Sequence, residues 1–133
     1  TYTGATNITM GYVAISNATG LGTTDGATTV ASGATLKISG GITVAEAITL
    51  NGVGRSSSGA IAFTANDNTY SGAITLGSTS TIVSTGGAQT ISGAVNGGYG
   101  LTITANGNLV ISGAVGGSTD LSSFAVTTTG SAS

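Results

Sequence analysis

The string Ile91-Ser92-Gly93-Ala94-Val95 recurs, residue for residue, as Ile111-Ser112-Gly113-Ala114-Val115, twenty residues on. A repeat of about this length is the mark of a chain wound into stacked coils, each lying on the one before. Stacking in register sets Ile on Ile, Ser on Ser and Gly on Gly. A glycine at each corner lets the backbone turn without a side-chain clash. The string Ile38-Ser39-Gly40-Gly41-Ile42 reads as an earlier relative. At about 20 residues per rung, a chain of 133 residues holds about six or seven coils.

Outward from that pair, short apolar-polar-apolar triplets fill the chain. Val13-Ala14-Ile15, Leu36-Lys37-Ile38, Ile48-Thr49-Leu50, Ile61-Ala62-Phe63, Ile74-Thr75-Leu76 and Leu101-Thr102-Ile103 are examples. Alternation with period two points one set of side chains inward and the other outward. The residues are largely β-branched, which suits strands and penalises helices. Between the triplets lie Asn51-Gly52, Asn96-Gly97 and Asn106-Gly107, and the pairs Gly40-Gly41, Gly86-Gly87 and Gly116-Gly117, all turn signals. The best helix candidate, Val44-Ala45-Glu46-Ala47, is too short and uncapped, and reads as a turn or strand edge.

The expected fold is therefore all-β, a right-handed parallel β-helix (β-solenoid) with rungs of roughly 20 residues. It forms one solenoid segment over residues 1–133, in two degenerate half-repeats of about 1–68 and 69–133. The competing arrangement is a β-sandwich completed by a strand from a neighbour, as in a donor-strand pilin. It needs hairpins and has no use for a twenty-residue period. The narrow interior is expected to hold ladders of Val, Ile, Leu and Ala. The four tyrosines are expected at bends or on the outside, because large rings crowd a tight rung.

Composition narrows the function. Only 5% of the residues are charged, against about 25% in a typical domain, so polarity comes from Thr, Ser, Asn and Gly. Low charge removes repulsion between copies and permits self-association. Two cations on a chain of pI about 4.2 exclude a basic nucleic-acid surface. Apolar runs of a few residues give neither membrane insertion nor a secretory leader. There is no Cys or His, so thiol and Ser-His catalysis are absent.

The remaining polar chemistry is sparse. Asp25, Glu46 and Asp67 are spaced about one rung apart and are expected to form a short exposed column of solvated turn residues. Lys37 reads as a surface or edge residue, and Arg55, in Gly54-Arg55-Ser56-Ser57-Ser58-Gly59, as solvated in a loop. Asn7-Ile8-Thr9 and Asn17-Ala18-Thr19 fit the N-glycosylation pattern. No catalytic, cofactor-binding or metal site is expected, and the chain reads as a non-enzyme.

Two stretches repeat a longer pattern. Asn68-Thr69-Tyr70-Ser71-Gly72 leads into Ile74-Thr75-Leu76-Gly77, and Thr1-Tyr2-Thr3-Gly4 opens the chain. Gly107-Asn108-Leu109-Val110-Ile111-Ser112-Gly113-Ala114 and Gly33-Ala34-Thr35-Leu36-Lys37-Ile38-Ser39-Gly40 supply the strands around them. Over most of the chain this resembles the β-strand repeat of bacterial autotransporter passengers and related giant surface adhesins. The resemblance implies a right-handed parallel β-helix, secretion to the cell exterior, and a role in adhesion or as a stalk.

The chain begins inside a repeat motif and reads as a piece of something longer. Joining Ser133 to a second Thr1-Tyr2-Thr3-Gly4 would rebuild the arrangement around Asn68–Gly72. The expected partner is therefore the protein itself, as tandem copies or a head-to-tail homopolymer, with host or surface glycans second. The expected function is an extracellular filament subunit or adhesin stalk at the cell surface. The alternative from another class is a glycan- or ice-binding module that uses outward Thr43, Thr49, Thr75, Thr102 and Thr104.

Overall fold

A computed structural model of the protein describes residues 2–128. These residues form a parallel β-solenoid of about six turns. Each turn passes through up to three faces. The first face stacks β1 (Thr6–Ile8), β3 (Thr28–Val30), β6 (Ile48–Gly52), the start of β9 (Ile74–Ser84) and β11 (Val95–Asn96). The second stacks β2 (Gly11–Ile15), β4 (Ala34–Ile38), β7 (Ile61–Phe63), the end of β9, β12 (Gly100–Ala105) and β14 (Ser123–Thr128). The third stacks β5 (Thr43–Val44), β8 (Thr69–Tyr70), β10 (Ala88–Ile91) and β13 (Asn108–Ile111). All these pairings are parallel, so the sandwich alternative is excluded.

Like residues stack as the repeat requires. Ile91 lies against Ile111. On the second face one inward column runs Val13, Leu36, Ile61, Ile82, Ile103, Val126. On the first, Ile8, Val30, Leu50 and Leu76 do the same. Each fully buried aliphatic side chain contributes about 1.5–3 kcal/mol of transfer free energy. The columns make one continuous core along the axis.

The spacing is less regular than the repeated string implies. Thr6 to Thr28 is one turn, and so are Thr28 to Ile48 and Ile48 to Ile74. The last is the longest because residues 53–59 are extruded as a loop. Ser58 N–H donates to the Arg55 carbonyl and Gly59 N–H to that of Val53, closing it. The string at Ile38–Ile42 also differs from its apparent relatives. Ile38 lies on the second face between Ile15 and Phe63, whereas Ile91 lies on the third, so the two mark different corners.

The expectation that large rings stay outside fails at two positions. Phe63 and Tyr70 are both fully buried. Phe63 has Ile38 on one side and small Ser84 on the other, which leaves room for the ring. Tyr70 lies between Val44 and Ile91. Tyr2, Tyr12 and Tyr99 are exposed, as expected.

Candidate functional site

The corner between the third and first faces carries the most specific chemistry of the interior. Gly4, Gly26, Glu46, Gly72, Gly93 and Gly113 occupy it in successive turns, each followed by Ala. A Cβ on Gly26, Gly72, Gly93 or Gly113 would collide with the carbonyl oxygen of the preceding corner residue. The glycines are there because the backbone of one turn presses on the next.

Glu46 breaks this column and is buried. Its Oε1 accepts a hydrogen bond from the Thr28 hydroxyl at 2.6 Å, and its Oε2 is buried without a partner. The Tyr70 hydroxyl donates to the Glu46 carbonyl at 2.8 Å. Burial, and then the nearby Glu46 carboxyl, push the Tyr70 hydroxyl well above its ordinary range. A sequence signal existed: Ala45-Glu46-Ala47 stands where other turns have Ser-Gly-Ala, as at Ser71-Gly72-Ala73.

Asn68 explains the start of the Asn-Thr-Tyr motif. Its Oδ1 accepts from the backbone N–H groups of Gly41 (3.0 Å) and Ile42 (3.2 Å), and its Nδ2 donates to the Ala65 carbonyl and to Gln89 Oε1 (3.0 Å). The Gln89 amide in turn donates to the carbonyls of Asn66 and Gly86. One buried pair of amides therefore ties the same bend together in three turns. These groups satisfy backbone, which is a structural task.

The three acids expected in one column are not stacked. Asp25 is exposed one residue before the corner, Glu46 is buried in it, and Asp67 is exposed at another bend, where its Oδ1 accepts from Ala88 N–H. Among the described residues no group of three His, Cys, Asp or Glu side chains converges on a metal-sized space. Asn7 and Asn17 of the two glycosylation patterns are both exposed.

The two cations come together. Lys37 Nζ lies 3.9 Å from the centre of the Tyr12 ring, and the Arg55 guanidinium lies 5.8 Å from it. Lys37 is on the surface as expected, but in a central strand rather than at an edge. Arg55 is exposed, yet its loop is anchored, since Arg55 N–H donates to the Thr35 hydroxyl at 2.8 Å. Thr35, Ser56 and Ser58 complete a shallow polar recess around the three side chains. The signal was the count of cations; nothing in the spacing of 37 and 55 placed them together.

The five threonines of the ligand-face alternative spread over three faces. Thr49 and Thr75 are neighbours on the first, in a column with Thr29, Asn7 and Asn96. Thr43 is on the third, and Thr102 and Thr104 are on the second. The second-face neighbours of Thr102 and Thr104 are Thr81 and Val83, then Ala125 and Thr127, so no regular Thr-x-Thr array forms.

Among the described residues, the last turn leaves the core uncovered. Ile103, Leu109, Ile111, Val115, Phe124 and Val126 line an open apolar cleft of about 370 Å³ with Gly113 at its corner. Phe124 and Val126 are each 43% exposed, although they continue the inward columns of Leu101 and Ile103. At the other end Met10, Tyr12 and Val13 are exposed.

Comparison with protein-family models, with curated proteins and with solved structures found no match. No described helix is long and apolar enough to cross a membrane.

Proposed function

We propose that the protein is an extracellular structural element, a filament subunit or adhesin stalk at the cell surface, whose task is mechanical extension. The observation that carries this reading is the core, which runs unbroken through every described turn and opens at the last described one as an apolar cleft. A solenoid gains length by adding turns without changing its cross-section, and unfinished ends favour further stacking. The scarcity of charge lets copies approach without repulsion. The resemblance to autotransporter and adhesin repeats supplies the surface context. Electron micrographs of the purified protein provide the test. Unbranched fibres of uniform width are expected, and compact particles at every concentration would remove the filament reading.

A second reading, a glycan-binding module, has one observation in its favour. Both cations of the chain meet at the exposed Tyr12 ring, beside three hydroxyl-bearing residues. Such a recess suits a sugar carrying a carboxylate. A galacturonate oligomer should then bind in a salt-sensitive manner and lose about tenfold in affinity in Lys37→Gln. No binding of the oligomer would dismiss this reading, and equal binding of a neutral galactose oligomer would dismiss the part given to the two cations.

A further inference from the structure

The chain contains an internal copy of the contact that would close its open end. Tyr70 precedes the corner residue Gly72 by two positions, and its ring fills the core above Val44. Its hydroxyl reaches back to the carbonyl of the preceding corner residue, Glu46. Tyr2 precedes the corner residue Gly4 by the same two positions, but among the described residues no turn packs on its far side, and it is 48% exposed. Gly113, the last described corner residue, lines the open cleft with Ile111 beside it.

Gly4 supplies a second observation. Every later glycine of its column is required by the carbonyl of the turn before it. A Cβ on Gly4 would meet nothing within 4 Å, and its φ is not left-handed, so nothing among the described residues requires glycine there. The Cβ direction that is blocked at Gly26 by Gly4 opens, at Gly4, beyond the first turn.

We infer that the cleft at the last turn receives the first turn of a second copy, head to tail, with Tyr2 of that copy taking the position that Tyr70 holds inside the chain. Gly4 of the incoming copy then packs on the Gly113 carbonyl. The inward column ending at Val126 continues into Val13 of the incoming copy. Phe124 meets Gly11, where a Cβ has open space around it, and Thr127 lies beside Ala14. The free edge of β14 pairs with the free edge of β2 in parallel, as β12 pairs with β14. The occupant is a second copy because the fit repeats, position for position, the fit between turns of this chain. This inference deepens the self-assembly reading and rests on it.

The test uses the whole chain, which has no cysteine of its own. Thr127→Cys and Ala14→Cys both change exposed, outward side chains and leave the core untouched. The two single variants are mixed and treated with a short bis-maleimide. Linkage of 127 to 14 is expected, with little 14–14 or 127–127 product. Gly4→Ala should abolish the linkage, Tyr2→Ala should weaken association about a hundredfold, and Tyr2→Phe about fivefold. Fibres in micrographs with no 127–14 product would overturn this contact while leaving the filament reading intact. Neither fibres nor product would remove both. Linkage that appears only after residues 129–133 are deleted would assign the cleft to the chain's own terminus and overturn the inference.

Discussion

A four-residue motif, Thr-Tyr-Thr-Gly at one site and Thr-Tyr-Ser-Gly at the other, occurs twice, and its two copies behave differently. At Thr69–Gly72 a turn lies on either side: Tyr70 is buried, its hydroxyl is bonded, and Gly72 has no room for a side chain. At Thr1–Gly4 the described Tyr2 lies half-exposed against the Thr6 hydroxyl, and Gly4 faces open space. The residues are alike, so the difference comes from position in the stack. In a repeat structure each turn draws its stability from its neighbours, and an end turn has half of them. The comparison teaches that the motif is specified for the interior of a stack, and it can be broken at three strengths.

The largest effect belongs to Ile91→Asp compared with Ile111→Asp. Ile91 is fully buried between Tyr70 and Ile111, so an aspartate there loses aliphatic burial and places an unpaired charge in the core. A loss of about 4 kcal/mol or more is expected, enough to unfold the adjoining turns. Ile111 borders the open cleft, where water reaches it, and the same change should cost less than half as much. Urea midpoints measure both. Equal losses would mean that the last turn is covered in the free protein.

Next comes Gly93→Ala compared with Gly4→Ala. The added methyl at 93 runs into the Gly72 carbonyl, which belongs to backbone and has no rotamer to yield. About 3 kcal/mol of destabilisation is expected from this overpacking. The methyl at 4 meets nothing, and stability under dilute conditions should stay within about 0.5 kcal/mol of the parent. Thermal unfolding at low protein concentration separates the two. A destabilised Gly4→Ala would show that its glycine serves the single copy.

Much of this fold was legible in the sequence because its information is periodic. The pairing of Ile91 with Ile111 and the stacking of Gly93 with Gly113 follow from one repeated string. The same logic misled at Ile38-Ser39-Gly40, because two corners of the solenoid both use Ser-Gly and a short string does not say which corner it marks. Tyr70 was misplaced because a ladder argument counts average width, whereas a ring needs room at one level only, above Val44. Glu46 was misread as exposed because spacing along the chain does not say which way a corner residue points. The meeting of Lys37 and Arg55 at Tyr12 was out of reach, since it depends on how the extruded loop at 53–59 folds back. The open cleft was out of reach as well, since its lining depends on how β14 lies over the last turn.

The finest distinction is Tyr70→Phe compared with Tyr2→Phe. At neutral pH the first removes the hydrogen bond to the Glu46 carbonyl and should cost about 1 kcal/mol. The second loses a contact at a half-exposed hydroxyl and should cost the single copy little. The pair separates further in alkali. Burial holds the folded-state pKa of Tyr70 above its unfolded value of about 10. The unfolded chain therefore binds fewer protons than the native one above that pH. The stability held by the protonated phenol is complete below about pH 10 and is lost as the pH rises toward the folded-state value. The parent should thus hold its urea midpoint up to about pH 10 and fall steeply above it, Tyr2→Phe should follow it, and Tyr70→Phe should fall less steeply. Identical slopes for all three would place the Tyr70 hydroxyl in contact with water and remove the template on which the junction is drawn.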